Sequence, residues 1–161
     1  AETPEVRIDL PVDAAIGVDY VESERLRLDA YRRIAAAADA ADLDAVRDEL
    51  VDRYGPFGPS VANLFAVAAL KHRAQQVGVT EIALTSRGLR FGGLSLAESA
   101  QLRVSRLHRG ANYREATGLL TLPTPTEAPV MGSPELRGEA LIAFCHRVLD
   151  DIAGPVPAAV A

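Results

Sequence analysis

Apolar and polar positions alternate strictly at the start of the chain. Val6, Ile8 and Leu10 are interleaved with Arg7 and Asp9, the pattern of a half-buried strand, and Pro11 ends it. The period then lengthens. Leu26, Ala30, Tyr31, Ile34 and Ala38 recur at three and four behind Ser23, which predicts a capped amphipathic helix. A second helix is predicted behind Asp42 as its cap, with Leu43, Val46, Leu50 and Tyr54 on one stripe and Gly55-Pro56 as its stop. A third begins near Pro59-Ser60, carries Val61, Leu64, Phe65, Ala68 and Val77, and ends at Gly78. Its C-terminal half holds Lys71, His72 and Arg73, where cations complement the helix dipole.

The second half changes rhythm. Glu81–Thr85 and Leu89–Phe91 flank the turn-forming Ser86-Arg87-Gly88 and predict a hairpin. Ser95 followed three residues later by Glu98 has the form of a capping box, opening a helix through Ala100, Val104 and Leu107. Tyr113-Arg114-Glu115 and Leu119–Leu122 flank Thr117-Gly118 and predict another hairpin. Pro123, Pro125 and Pro129 make the next stretch a surface loop. Ser133-Pro134-Glu135 then reads as a helix start, with Leu136, Ala140, Phe144, Val148 and Ile152 as the buried stripe and Gly154-Pro155 as the end. The plan is a single α+β domain over residues 1–154, antiparallel strands and hairpins packed with about five helices. Residues 155–161 read as a flexible tail. The chain contains no internal repeat.

Composition narrows the function. At 161 residues the chain fits one domain. Its formal charge of −5 argues against a dedicated nucleic-acid module, which would carry a basic surplus. Aromatic residues are 5% and Trp is absent, so base-stacking platforms are poorly supplied. One Cys cannot form an internal disulfide, which fits a reducing cytosol. No stretch reads as a membrane span, because Leu10–Ile16 is broken by Pro11 and Asp13. The absence of an initiator Met before Ala1-Glu2-Thr3-Pro4 suggests a piece of a longer chain.

Candidate chemistry is sparse. There is no phosphate-cradling loop, since Gly92-Gly93 lacks a following Lys-Ser/Thr pair, and no Gly-x-Ser-x-Gly elbow. Cys145 and His146 are adjacent on a helix and point about 100° apart, so that element cannot bring them to one site. His72, His108 and His146 have no partner at metal-ligand spacing. The sequence therefore predicts no catalytic residues, no metal site and no cofactor for this domain.

Two charge constellations remain. Arg103, Arg106, Arg109 and Arg114, with His108 and no acid between them, could meet phosphate or an acidic partner, or could be a solvated helix face and loop. Glu49, Asp52 and Arg53 share the outward side of the second predicted helix. At 100° per residue Asp52 lies nearly opposite Leu43, Val46 and Leu50, with Glu49 and Arg53 along one edge. On spacing alone, that is compatible with an ordinary Glu49→Arg53 pair on a solvated helix.

The strings around that helix carry a resemblance. Leu26, Tyr31-Arg32-Arg33-Ile34-Ala35, Glu49-Leu50-Val51-Asp52-Arg53-Tyr54-Gly55, Pro59, Val61-x-Asn63-Leu64 and Gly78-Val79 are similar to the C-terminal domain of bacterial transcription-repair coupling factors. The similarity is best over Val6–Phe91. Beyond it only the order of elements and Tyr113-Arg114 are alike, and the loop from Pro123 to Ser133 departs from the pattern. The resemblance implies a cytoplasmic parent that is a DNA-translocating ATPase using ATP and Mg in its motor domains, displacing stalled RNA polymerase and recruiting excision repair. It implies that the domain itself is noncatalytic. In that family the domain packs on a UvrB-like N-terminal module of the same chain, masks the surface for UvrA and restrains the motor. The acid and the Asp-Arg pair that make this clamp correspond to Glu49, Asp52 and Arg53. A competing expectation is an accessory domain contacting nucleic acid through Arg103, Arg106, Arg109 and Arg114.

Overall fold

The computed structural model describes residues 5–155, so all but Pro155 of the expected tail at 155–161 lies outside the described residues. The elements run β1 (Arg7–Asp9), α1 (Glu24–Ala36), α2 (Ala40–Tyr54), α3 (Pro59–Val77), β2 (Glu81–Thr85), β3 (Gly88–Gly92), α4 (Glu98–Leu107), β4 (Asn112–Arg114), β5 (Leu119–Leu122) and α5 (Gly138–Ala153). Helices and strands are segregated rather than alternating, which is the α+β class expected. The chain forms two compact units, residues 12–72 and the remainder.

The first unit is helical. Ser23 caps α1 by accepting from the Leu26 amide, as its position predicts. Asp42 does not cap α2. Asp39 does, accepting from the Asp42 amide at 2.9 Å, while the Asp42 carboxylate reaches back to the Ala38 amide at 3.0 Å. The two acids therefore bracket the first turn reciprocally, satisfying donors that the helix leaves free. Ala37, not the exposed Ala38, completes the buried stripe of α1, because the helix has already ended at Ala36. Ile34, Leu43, Val46, Leu50, Val61 and Phe65 form the centre of the unit's core. Residues 13–20 are tied to it by hydrogen bonds. Ile16 N–H donates to the Tyr31 hydroxyl at 2.7 Å, and Ser60 Oγ donates to the Asp13 carboxylate at 2.8 Å.

The second unit carries a five-stranded sheet in the order β1-β2-β3-β5-β4. Both predicted hairpins form, β2 with β3 and β4 with β5, and β3 pairs antiparallel with β5. β1 instead runs parallel to β2, Ile8 opposite Ile82, as a strand joined by a long helical connection can and a hairpin strand cannot. One sheet face is apolar, with Ile82, Leu89, Phe91, Leu120 and Leu122 buried.

Two predicted helix starts in this unit are displaced. The Ser95/Glu98 capping box does not form: α4 begins at Glu98 behind Ala97, with no side-chain cap. The Leu96 amide is engaged elsewhere, donating to the Tyr113 hydroxyl at 3.1 Å. Leu107, placed in the α4 stripe, is 45% exposed at the last turn. Likewise α5 starts at Gly138 rather than at Pro134, because residues 125–136 are drawn into a loop. Thr126 bridges Glu135, and the Leu136 amide donates to the Pro125 carbonyl at 2.9 Å. The buried stripe of α5 is Leu141, Ile142, Cys145, Val148, Leu149 and Ile152, and Ala140 is exposed. A strict i,i+4 ladder drifts about 40° per step, so the series Leu136–Ala140–Phe144–Val148 cannot stay on one face. No helix among the described residues is long and apolar enough to cross a membrane.

Candidate functional site

α2 presents two faces. Leu43, Val46 and Leu50 are buried, and Tyr54 is half-buried beside them. Asp52 lies opposite and is exposed, as is Arg53. Gly55 ends the helix at φ 84°, a conformation that side chains rarely adopt, and its amide bonds the Val51 carbonyl. The Tyr20 hydroxyl lies 3.1 Å from the Leu50 carbonyl and 2.8 Å from that of Gly55, so its one proton is shared between two end-of-helix acceptors. Tyr20 also meets Tyr54 and Phe57 edge-on, and Phe57 stacks on Phe65. The C-terminal turn of α2 is thus firmly seated, and the residues on its outer side are presented from a rigid element.

Glu49 and Arg53 do come together, with a separation of 3.7 Å, but the stronger partner of Glu49 is Arg33 of α1. The Arg33 hydrogen bond is the main reason the Glu49 carboxyl sits below its ordinary range; partial burial opposes it, and the charges of Arg33 and then Arg53 reinforce it. Arg33 is raised correspondingly, chiefly by the same hydrogen bond. The Arg53 guanidinium lies over the Tyr54 ring, 5.1 Å from its centroid. Asp52 has no ion-pair or hydrogen-bond partner among the described residues. Beside this cluster Val51 is 41% exposed, an apolar side chain at the margin of a charged patch. Sequence spacing along α2 could not find Arg33, because its contribution depends on how α1 packs against α2.

The arginine run does not form one surface. Arg103 turns inward and donates from Nε to the Asp151 carbonyl at 2.6 Å and from Nη2 to the Ile152 carbonyl at 3.0 Å. It satisfies carbonyls that the end of α5 would otherwise leave open. His108, the C-cap of α4, has a partner the sequence did not reveal: its Nε2 lies 2.7 Å from an Asp151 carboxylate oxygen. Arg106 and Arg109 are exposed, and Arg114 is exposed on β4. His72 is engaged with the Ala37 carbonyl at 2.9 Å. Burial lowers His146, with Asp150 opposing and Arg73 adding to the effect, and it pushes the fully buried Cys145 thiol up to about 12. No group of three His, Cys, Asp or Glu residues among the described residues could hold a metal ion.

Comparison with known proteins gives the family. The family model of the TRCF domain matches residues 10–106, which include all of α1, α2 and α3. A transcription-repair-coupling factor of Mycobacterium tuberculosis is 41% identical over 156 residues, covering 96% of this chain and 13% of that protein. One from Staphylococcus aureus is 29% identical over 82 residues, covering 51% of this chain and 7% of that protein. The chain therefore spans about an eighth of the length, or less, of these curated relatives. The crystal structure of the C-terminal domain of a transcription-repair coupling factor superposes with a TM-score of 0.74 over 94% of both chains at 13% identity, which shows a shared fold. With a family match across more than half its length, the chain belongs to the TRCF domain family.

Proposed function

We propose that this chain is a noncatalytic regulatory domain of a transcription-repair coupling factor, in which the outer face of α2 clamps a UvrB-like module of the same protein. In the clamped state the surface for UvrA is masked and the ATP-driven translocase is held back until RNA polymerase is engaged. The whole protein would act on DNA in the cytoplasm; this domain would contribute the restraint.

The observation that carries this reading is Asp52. It is an exposed carboxylate opposite the buried stripe of α2, without an ion-pair partner among the described residues, next to an exposed Arg53. Two unlike charges side by side on a rigid helix suit a partner offering the complementary pair. Glu49 is already committed to Arg33 and Arg53 and so plays the smaller part: it orients Arg53. Truncating one member of a desolvated, hydrogen-bonded charge pair costs roughly 2–5 kcal/mol. A closed state favoured by a few kcal/mol would then become a minority species, each 1.4 kcal/mol being about tenfold.

The test is made in the full-length coupling factor with Asp52→Lys and Arg53→Glu. Each should raise UvrA capture and polymerase-independent ATPase activity, and Glu49→Gln should do so more weakly. Unchanged UvrA capture and ATPase activity in both reversals would leave α2 an ordinary solvated helix and remove the proposal.

A further inference from the structure

A second surface lies on the open face of the sheet. Strand alternation puts Leu89, Phe91, Leu120 and Leu122 on the buried face, so Arg90 and Thr121 between them point the other way. The register then aligns Arg90 with Thr121 and Thr121 with Asn112, and the next row holds Leu119 and Arg114. Arg87, in the β2–β3 turn, joins them at one end. These residues line a shallow groove of about 610 Å³. Gly88 allows the strands to close at that end: at φ 122°, a side chain there would meet the Leu122 carbonyl oxygen.

The lining carries charge of one sign. It offers three guanidiniums, the Asn112 amide and the Thr121 hydroxyl, and it contains no acid and no aromatic ring. None of the three guanidiniums has an ion-pair or hydrogen-bond partner among the described residues. The acids of the same sheet, Asp9 and Glu81, are on β1 and β2; Glu81 shares the open face and lies diagonal to Arg90, whose direct partner is Ala83, while β5 and β4 carry no acid. From strand spacing and rise, Arg90 and Arg114 are about 12 Å apart at Cα, a span of two or three phosphates along a nucleic-acid strand.

We propose that this groove binds the phosphate backbone of duplex DNA. Arginine, asparagine and threonine are side chains that contact phosphate oxygens, and arginine does so with two parallel hydrogen bonds. The lack of aromatic rings disfavours single strands, whose proteins hold unpaired bases by stacking. Leu119, Leu122 and Pro123 also line the groove, but it offers no Trp or Tyr of the kind that anchors protein partners. The site is distinct from α2 and from the sequence run Arg103–Arg114, of which it takes only the last member. Arg87 and Arg90 come from a hairpin far upstream, and strand pairing alone assembles the set.

The experiment is fluorescence anisotropy of a labelled 20-base-pair duplex with the 161-residue chain, at 50 and 200 mM salt. Neutralising about three phosphates predicts a slope of roughly −2.7 in log K against log salt, a loss of about 40-fold between the two concentrations. Replacing Arg87, Arg90 and Arg114 together with Gln should abolish most of that dependence and weaken binding at 50 mM by at least about tenfold. The single exposed change Arg114→Gln should lower the slope by about 0.9, with an unchanged melting temperature checking the fold. Arg106→Gln/Arg109→Gln should bind as wild type. The proposal fails if the duplex does not bind at 50 mM salt, or if the triple variant binds like wild type. It fails too if an unlabelled single strand or poly-glutamate competes better than unlabelled duplex.

Discussion

Residues 12–72 and the sheet-bearing remainder share the same charge devices but in different proportions. The helical unit has seven Lys+Arg against eleven Asp+Glu, the remainder ten against eleven. In the helical unit, charged residues meet along and between helix faces: Arg47 with Asp44, Arg53 with Glu49, Arg33 with Glu49. Asp52 is left over from that pairing, and it stands on an element whose other side is fixed in the core. The sheet unit has ion pairs of its own, Arg73 with Asp150 and His108 with Asp151, but there Arg103 reaches backbone carbonyls and Arg90 and Arg114 stand in rows set by strand register. A helix gathers neighbours three and four apart and pairs them off; a sheet gathers residues distant in sequence and can concentrate one sign.

The comparison predicts where substitutions hurt. Phe65 is 1% exposed, stacks on Phe57 and lies under the Arg47 guanidinium, 5.0 Å from the ring centroid. Phe65→Ala should cost about 3–5 kcal/mol and lower the melting temperature by roughly 10 °C or more. A near-normal melt would mean that the helical core is not organised around this ring. Next in size is Arg103→Ala. It leaves the Asp151 and Ile152 carbonyls without their donor and should cost about 1.5–3 kcal/mol in urea unfolding, against less than about 0.5 kcal/mol for Arg106→Ala. Equal effects would make Arg103 one more surface cation.

The smallest effect concerns pH. The folded Glu49 carboxyl lies below its ordinary value of 4.5, so between its depressed value and about 4.5 the unfolded chain binds more protons than the folded one. Its contribution is therefore present above about pH 4.5 and lost as pH falls through the folded value. Glu49→Gln should flatten the acid side of the stability profile slightly, and more so at low salt, since the pair is partly exposed. An identical acid profile would show that the Arg33 contact is not formed in solution.

Local signals carried much of the fold. Ser23 accepts from the Leu26 amide, the Gly55 amide bonds the Val51 carbonyl, and each hairpin turn joins strands adjacent in sequence, so those boundaries were legible. The Ser95/Glu98 and Ser133-Pro134-Glu135 starts have equally good local chemistry, and tertiary bonds override both. The Leu96 amide goes to Tyr113, and the Leu136 amide goes to Pro125. The α2 face was legible from helical geometry because its core stripe is regular, whereas Arg33 required the packing of α1 on α2. Arg87 and Arg90 were invisible as partners of Arg114, because register cannot be read from a list of residues.

The central claim is that α2 separates its duties, holding the fold with one side and a partner with the other. A calorimetric titration of the 161-residue chain against the isolated UvrB-like module, wild type and Asp52→Lys in parallel with thermal melts, tests it most directly. We expect binding at least about 30-fold weaker for the variant, the lower end of a lost desolvated charge pair, with the melting temperature within a few degrees of wild type. Unchanged affinity, or a melting temperature that falls along with the affinity, would contradict it.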